Sequence, residues 1–305
     1  MLKKDITKRW EIEHNMRIVI EEVMQLFQSG GELQRKISSF GLIEGKADFR
    51  GINAKGKRIN KCLFENVDFS FSSFKSTWVE NSKFDTCRFY KVDFSDFSDH
   101  GNMFKECVFI DCKFNKAGIG YNGSSFSNCF FEMCNYSKAI FIRTEYVASF
   151  FKDCRIKNID FNASSFEDCI FEGLLDDVWF RGGFSLKSDY EYYGLPKVNE
   201  MKNVSFEKAE LKDVTFSNNC DLSTVRIDSD GQYYKYNNWK MRLEFLNLRM
   251  SMLKEGEKKE VLFFVNTHLV HAKDQDWYII NIDDLERDYG KNVASEIING
   301  LNNFQ

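Results

Sequence analysis

Stepping by five from Phe49 gives Phe49, Ala54, Ile59, Phe64, Phe69, Phe74, Val79, Phe84, Phe89 and Phe94, then Asp99, Phe104, Phe109, Phe114 and Ile119. The grid slips by two residues and resumes as Phe126, Phe131, Tyr136, Phe141, Tyr146, Phe151, Ile156, Phe161, Phe166 and Phe171. It returns as Phe206, Leu211 and Phe216 and, after one further residue, Leu222 and Ile227. Nineteen of the 31 phenylalanines fall on these centres, so composition alone does not produce the period. A helix repeats at 3.6 residues and a strand at two. Neither period accounts for a core that repeats at five.

The cysteines test the grid independently, because it was set on phenylalanine. All nine lie two residues before a centre: Cys62, Cys87, Cys107, Cys112, Cys129, Cys134, Cys154, Cys169 and Cys220. Their companions in that slot are mostly Ala, Ser and Thr. Disulfides, zinc sites or catalytic thiols select cysteine for pairing, ligand geometry or a neighbouring base. Here one slot of a repeat selects it, so it reads as a small buried hydrophobe.

The segments CLFEN, VDFSF, CRFYK, VDFSD, CVFID, CKFNK, SSFED and CIFEG resemble the pentapeptide-repeat family in their order of small, polar, Phe or Leu, polar, polar. The resemblance covers residues 47–228. It implies an all-β solenoid with helical ends, a right-handed quadrilateral β-helix with four pentapeptides to a coil. Centre and small residues then point inward, and centres 20 residues apart stack, Phe64 on Phe84 on Phe104 and Phe69 on Phe89 on Phe109. At the inter-strand spacing of about 4.8 Å, seven to eight coils make a rod roughly 35 Å long.

A solenoid exposes strand edges at its ends and needs caps. Helical spacing of Ile12, Met16, Val19, Val23, Leu26 and Phe27 predicts a helix over 6–28, ended by Gly30 and Gly31, with a second short helix in ELQRKISSF. Residues 1–46 are read as an N-terminal helical cap. Residues 229–305 abandon the grid for helical patterning, with an apolar run from Trp277 to Ile282, and are read as a helical region that could form a homodimer. Residues 172–203 break the grid and hold the only proline, Pro196, so they are read as a loop insertion.

Val79, Asp99 and Ile119 share one column, and Asp99 places a charge in an inward slot beside bulky Phe97. A bulge is expected there, one coil before the slip in AGIGYNGSS. Irregularities therefore gather on one side of the rod. The partner-binding residues expected from this are Trp78, Asp99, His100 and Tyr121, with Asp176, Asp177, Trp179, Tyr190, Tyr192 and Tyr193 from the insertion.

Signs of catalysis are few. The four histidines are His14, His100, His268 and His271, and the last two share a helical face at a spacing a metal could use, without an adjoining Cys or Glu. No phosphate loop, dinucleotide fingerprint, nucleophile elbow or zincin motif is present. The expectation is a non-catalytic protein-binding protein with no cofactor and no metal. Its charge of −4 argues against direct nucleic-acid binding. No run approaches 18 apolar residues and MLKKDITKRW lacks a signal-peptide core, so a soluble, cytoplasmic chain without membrane contact is expected.

In its repeat the chain resembles the gyrase-interacting quinolone-resistance members of the family. That resemblance implies DNA gyrase or topoisomerase IV as partner, with the rod as a partial DNA mimic that protects against topoisomerase poisons. The repeat outside the insertion carries 21 acidic against 20 basic residues, and the insertion 6 against 4, which weakens the mimicry overall. The alternative is an interaction scaffold or dimerising rod with an unrelated partner. Acidic residues collected on one face would favour the first reading.

Overall fold

The computed structural model describes residues 3–12, 16–33, 38–249 and 255–304. Four columns of short parallel strands and bridges enclose one core, and each coil visits them in order. The first face stacks Phe64, Phe84, Phe104, Phe126, Tyr146 and Phe166. The second runs from the turn at Phe49 through Phe69, Phe89, Phe109, Phe131 and Phe151 to Phe171. The third is a line of bridges joining Asn53, Ser73, Asp93, Lys113, Asn135 and Arg155. The fourth stacks Ile59, Val79, Asp99, Ile119, Phe141 and Phe161. This is the expected quadrilateral β-solenoid.

The centre rings form continuous stacks. Phe84 and Phe104 lie 4.6 Å apart at 7°, and Phe104 and Phe126 lie 4.5 Å apart at 2° although the two-residue slip falls between them. Phe109 sits between Phe89 at 4.6 Å and Phe131 at 4.8 Å. Each buried ring contributes roughly 1.5–3 kcal/mol before ordering entropy is subtracted.

The small slot has a second reason to hold Cys, Ser or Thr. Its donor reaches the carbonyl of a centre one coil earlier: Cys107 Sγ to Phe84 O at 3.3 Å, Cys112 Sγ to Phe89 O at 3.1 Å, and Thr77 Oγ1 to Ala54 O at 2.8 Å. The corners explain the remaining residue of the repeat. Asn66, Lys91, Asp111 and Asp168, each two after a centre, adopt positive φ of 52–55°. A left-handed residue costs roughly 1–2 kcal/mol, and each of these four is held by its N–H, which donates to a carbonyl of the next coil.

At the base, α1 (Lys3–Ile12) and α2 (Met16–Ser29) stand where one helix over 6–28 was expected, and Phe27 packs edge-on against Phe64 at 5.6 Å. Gly31–Leu33 is a strand on Cys62–Phe64, not the start of a second helix, because only a strand satisfies the first face's exposed edge; 34–37 lie outside the described residues. Trp10 covers Phe49, and its indole donates to Arg50 O at 2.8 Å. Burial would raise the Asp48 carboxyl, but hydrogen bonds from Arg9 and Arg50 hold it well below the usual carboxylate range.

The expected 172–203 insertion is shorter in the structure. Ile170–Arg181 is one strand that carries the coil across the second, third and fourth faces, with Leu175, Val178 and Phe180 buried. Ser205–Ser217 repeats this path directly above. The excursion leaves at Gly182, where a Cβ would meet Asn218 O at 2.1 Å, and returns at Asn199, whose side-chain Oδ1 accepts from Phe166 N at 3.0 Å. Between them lies α3 (Lys187–Tyr193).

The C-terminal unit has its own core of Trp239, Leu243, Phe264, Ile297 and Leu301. It comprises α4 (Trp239–Arg249), α5 (Glu255–Leu269), α6 (Ile282–Tyr289) and α7 (Lys291–Asn302). The apolar run after Trp277 is a strand, Tyr278–Asn281, paired antiparallel with Tyr233–Tyr236. This unit also closes the top of the solenoid. Leu211 N donates to Tyr233 Oη at 3.0 Å, Asn281 Nδ2 donates to Leu211 O at 2.7 Å, and Cys220 N donates to Gln275 Oε1 at 3.0 Å. No helix among the described residues is long and apolar enough to cross a membrane.

Candidate functional site

The expected irregularities meet along the edge between the fourth and first faces. Trp78 and His100 stack with centroids 3.8 Å apart, His100 and Tyr121 at 5.0 Å, and Tyr121 meets Tyr193 of α3 at 6.0 Å. The pile forms because Ser98, in register with Trp78 one coil up, is too small to occupy the space over the indole. His100 Nε2 lies 2.8 Å from Ser98 Oγ, and burial pushes its imidazole below the usual histidine range. Trp78 donates to Glu80 at 3.0 Å, and Arg58 also pairs with Glu80.

Asp99 belongs to this site from beneath. It is wholly buried and touches no surface, so its part is to hold the bulge. The register shifts between Ser98 and His100, and the slip at 120–123 removes the ladder acceptor for Gly120 N. The Asp99 carboxylate replaces it at 2.9 Å and accepts from Asn102 Nδ2 at 2.5 Å. Burial outweighs these bonds and pushes its pKa up to about 6. Gly120 has φ 92°, and a Cβ there would meet Ile142 O at 2.5 Å.

Arg143, which sequence reasoning passed over, ties slip to excursion. Its guanidinium lies against Gly123 and Gly194 and donates to Leu195 O at 3.0 Å. Phe184 packs with Ile142 and Ala163, with Tyr121 and Tyr193 against them. The excursion is thus anchored at its root, while its tip presents Leu186, Tyr192, Leu195 and Val198 to solvent, Tyr192 and Leu195 each 82% exposed. Tyr190 is partly exposed and packs edge-on against Phe184.

Asp176, Asp177 and Trp179 do not join this cluster. They lie further up the rod, beside a cleft of about 620 Å³ between the solenoid and α5 and α6. Asp176 is held by Lys157 at 2.5 Å, which lowers its pKa. Trp179 is covered by Arg181 and meets the edge of His271. His268 turns to Trp239, Phe264 and Tyr278, so the two histidines of the helical pair face different partners. Among the described residues no group of three or more ligating side chains could hold a metal. His14 lies outside them.

Charge separates by face. Outward on the first face are Glu32, Glu65, Asp85, Glu106, Glu145, Glu167 and Asp168, against Lys83, Lys105 and Lys202, the last paired with Glu167. The excursion leaves and rejoins the rod along that face's border. The near balance of the sequence conceals this, since the period of 20 sorts charges the totals merge.

No family model and no curated protein matches the chain. Among solved structures, a trypsin-treated form of QnrB1, described as a plasmid-mediated fluoroquinolone resistance protein, is 12% identical over 62% of this chain and 87% of its own, with a TM-score of 0.39. HetL, a pentapeptide repeat protein involved in heterocyst differentiation regulation from the cyanobacterium Nostoc sp. strain PCC 7120, is 9% identical over 69% and 97%, with a TM-score of 0.25. A pentapeptide repeat protein from the cyanobacterium Cyanothece 51142 is 11% identical over 61% and 93%, with a TM-score of 0.15.

Proposed function

We propose that this chain, which belongs to the pentapeptide-repeat proteins by its five-residue grid and the four-sided coil that grid builds, is a non-catalytic rod that binds another protein. The observation that carries this reading is an anchored excursion with an exposed apolar tip on the border of an acidic face. Such a tip, rigid at its root and aromatic at its end, suits an interface core.

The finer reading is that the partner is a type II topoisomerase, DNA gyrase or topoisomerase IV. The acidic first face would lie against the enzyme's DNA-binding surface, giving protection from topoisomerase poisons. Seven carboxylates less three lysines leave −4 over eight coils. That is roughly one net charge per 8 Å of rod, against one per about 1.7 Å in duplex DNA. The mimicry is partial, so the excursion must supply much of the affinity. The test is binding of purified gyrase to immobilised protein, with and without the excursion. Saturable binding that weakens when the excursion is removed supports the reading, and absence of binding removes the topoisomerase as partner.

The competing reading, a scaffold for an unrelated protein, draws on the same exposed tip. Exposed Leu248, Phe263 and Val270 on the C-terminal unit suit a homodimer in either case.

A further inference from the structure

The third face, opposite the acidic one, carries the opposite charge. Along its lower six coils Lys55, Lys75, Lys113, Lys116, Lys138 and Arg155 point outward, against Asp93 and Asp96, whereas higher up the same face Lys157 and Lys212 stand among Asp176, Asp177, Glu210 and Asp213, so the basic strip is confined to the lower coils. None of the six makes an ion pair among the described residues. Nearby carboxylates pair with other cations, Asp111 with Lys91 on the neighbouring face and Asp176 with Lys157 and Lys212 at the upper end of this one. Lys113 and Arg155 stand in one bridge column two coils apart, with Asn135 between them. Lys116 and Lys138 occupy consecutive corners. Below them Lys57 extends the strip toward the base.

A row of unpaired cations on a rigid, flat face calls for a polyanion. A second copy of the chain could offer its acidic face, but exposed ion pairs contribute about 0.2–1 kcal/mol each. Four to six of them total about 1–6 kcal/mol, which at best offsets the low end of the association cost of about 4–15 kcal/mol. An anionic membrane would want apolar side chains to insert, and the residues between these cations are Asn53, Ser73, Asn135 and Ser137. Single strands are held by stacking on aromatic side chains, and this face turns none outward. A duplex backbone needs neither, and binding it gains from counterion release.

We propose that the third face is a sequence-independent binding surface for the phosphate backbone of duplex DNA. Flat strands without a helix or ribbon to enter a groove leave base edges unread, so affinity is insensitive to sequence. The site is independent of the topoisomerase reading, since it lies on the other side of the rod. The formal charge of −4 hid it, because the first and third faces cancel in the total.

The test is fluorescence anisotropy of a labelled 25-base-pair duplex with the full chain, no topoisomerase present. With about four phosphates neutralised, the expected dissociation constant is micromolar at 50 mM salt, and affinity falls about a hundredfold by 200 mM. The triple variant Lys113→Glu, Lys138→Glu and Arg155→Glu should bind at least tenfold more weakly with an unchanged melting temperature. Glu65→Lys with Glu106→Lys should not weaken binding. No binding at 50 mM salt with 100 μM protein, or equal binding by the triple variant, overturns the proposal. So does capture by phosphatidylserine vesicles without capture of the duplex, which would assign the face to membranes.

Discussion

The Asp99 carboxylate accepts the Gly120 N–H at 2.9 Å, inside a column otherwise lined by Ile59, Val79, Ile119 and Phe141. A charge in an apolar column is there because the two-residue slip leaves a buried donor without a ladder partner. Replacing Asp99 by Ala leaves Gly120 N unpaired and takes one of the two bonds from Asn102 Nδ2, which keeps the Val79 carbonyl, and should cost about 1–3 kcal/mol, read as a fall in the urea midpoint. The pH dependence has a definite sign. The folded pKa of about 6 stands above the ordinary 3.8, so Asp99 contributes stability below pH 3.8 that is lost as pH rises through 6. The stability of the native chain relative to Asp99→Asn should therefore fall by roughly 2–3 kcal/mol between pH 4 and pH 7.

Phe109 is the middle ring of a stack, with Phe89 and Phe131 on either side. Phe109→Ala opens a cavity that rigid coils cannot close and should cost about 3–5 kcal/mol. The neighbouring outward change Val108→Ala should stay within roughly 1 kcal/mol by the same measurement. Equal costs would mean that the stacks do not carry the fold.

The five-residue grid was legible because one buried ring per side leaves an unmistakable mark. What escaped it has a physical cause. From Phe171 the next inward residue is Leu175, four residues on, so a strict step of five lands on Asp176 and Arg181 and suggests a break where the strand continues. The gathering of Trp78, His100, Tyr121 and the excursion followed from counting by 20. Asp99 was found by the same count but turns inward, and Arg143 gave no signal because a corner arginine looks like any solvated charge. Facial charge needed the register, since the slip moves later residues to other faces.

Replacing residues 186–197 with a short Gly/Ser linker spares Phe184 and Asn199, which belong to the solenoid's packing and ladder. Circular dichroism and the melting temperature should remain near native. Partner binding should fall at least tenfold; unaltered affinity would move the interface off the excursion.

The homodimer reading predicts twice the monomer mass in sedimentation equilibrium at micromolar protein. Phe263, 62% exposed on α5, is the residue whose change to Asp should release monomers. A monomeric native chain at 100 μM contradicts it.

The measurement that bears most directly on the account is a gyrase supercoiling assay, with and without a fluoroquinolone. It compares the native chain with the variant Glu65→Lys, Glu106→Lys and Glu145→Lys. These three side chains point outward from the first face, so the fold should be unaffected. The account predicts that the native chain inhibits supercoiling or lowers drug-stabilised cleavage, and that the variant loses at least tenfold in potency. A native chain without effect at high micromolar concentration, or a variant as potent as the native chain, would contradict it.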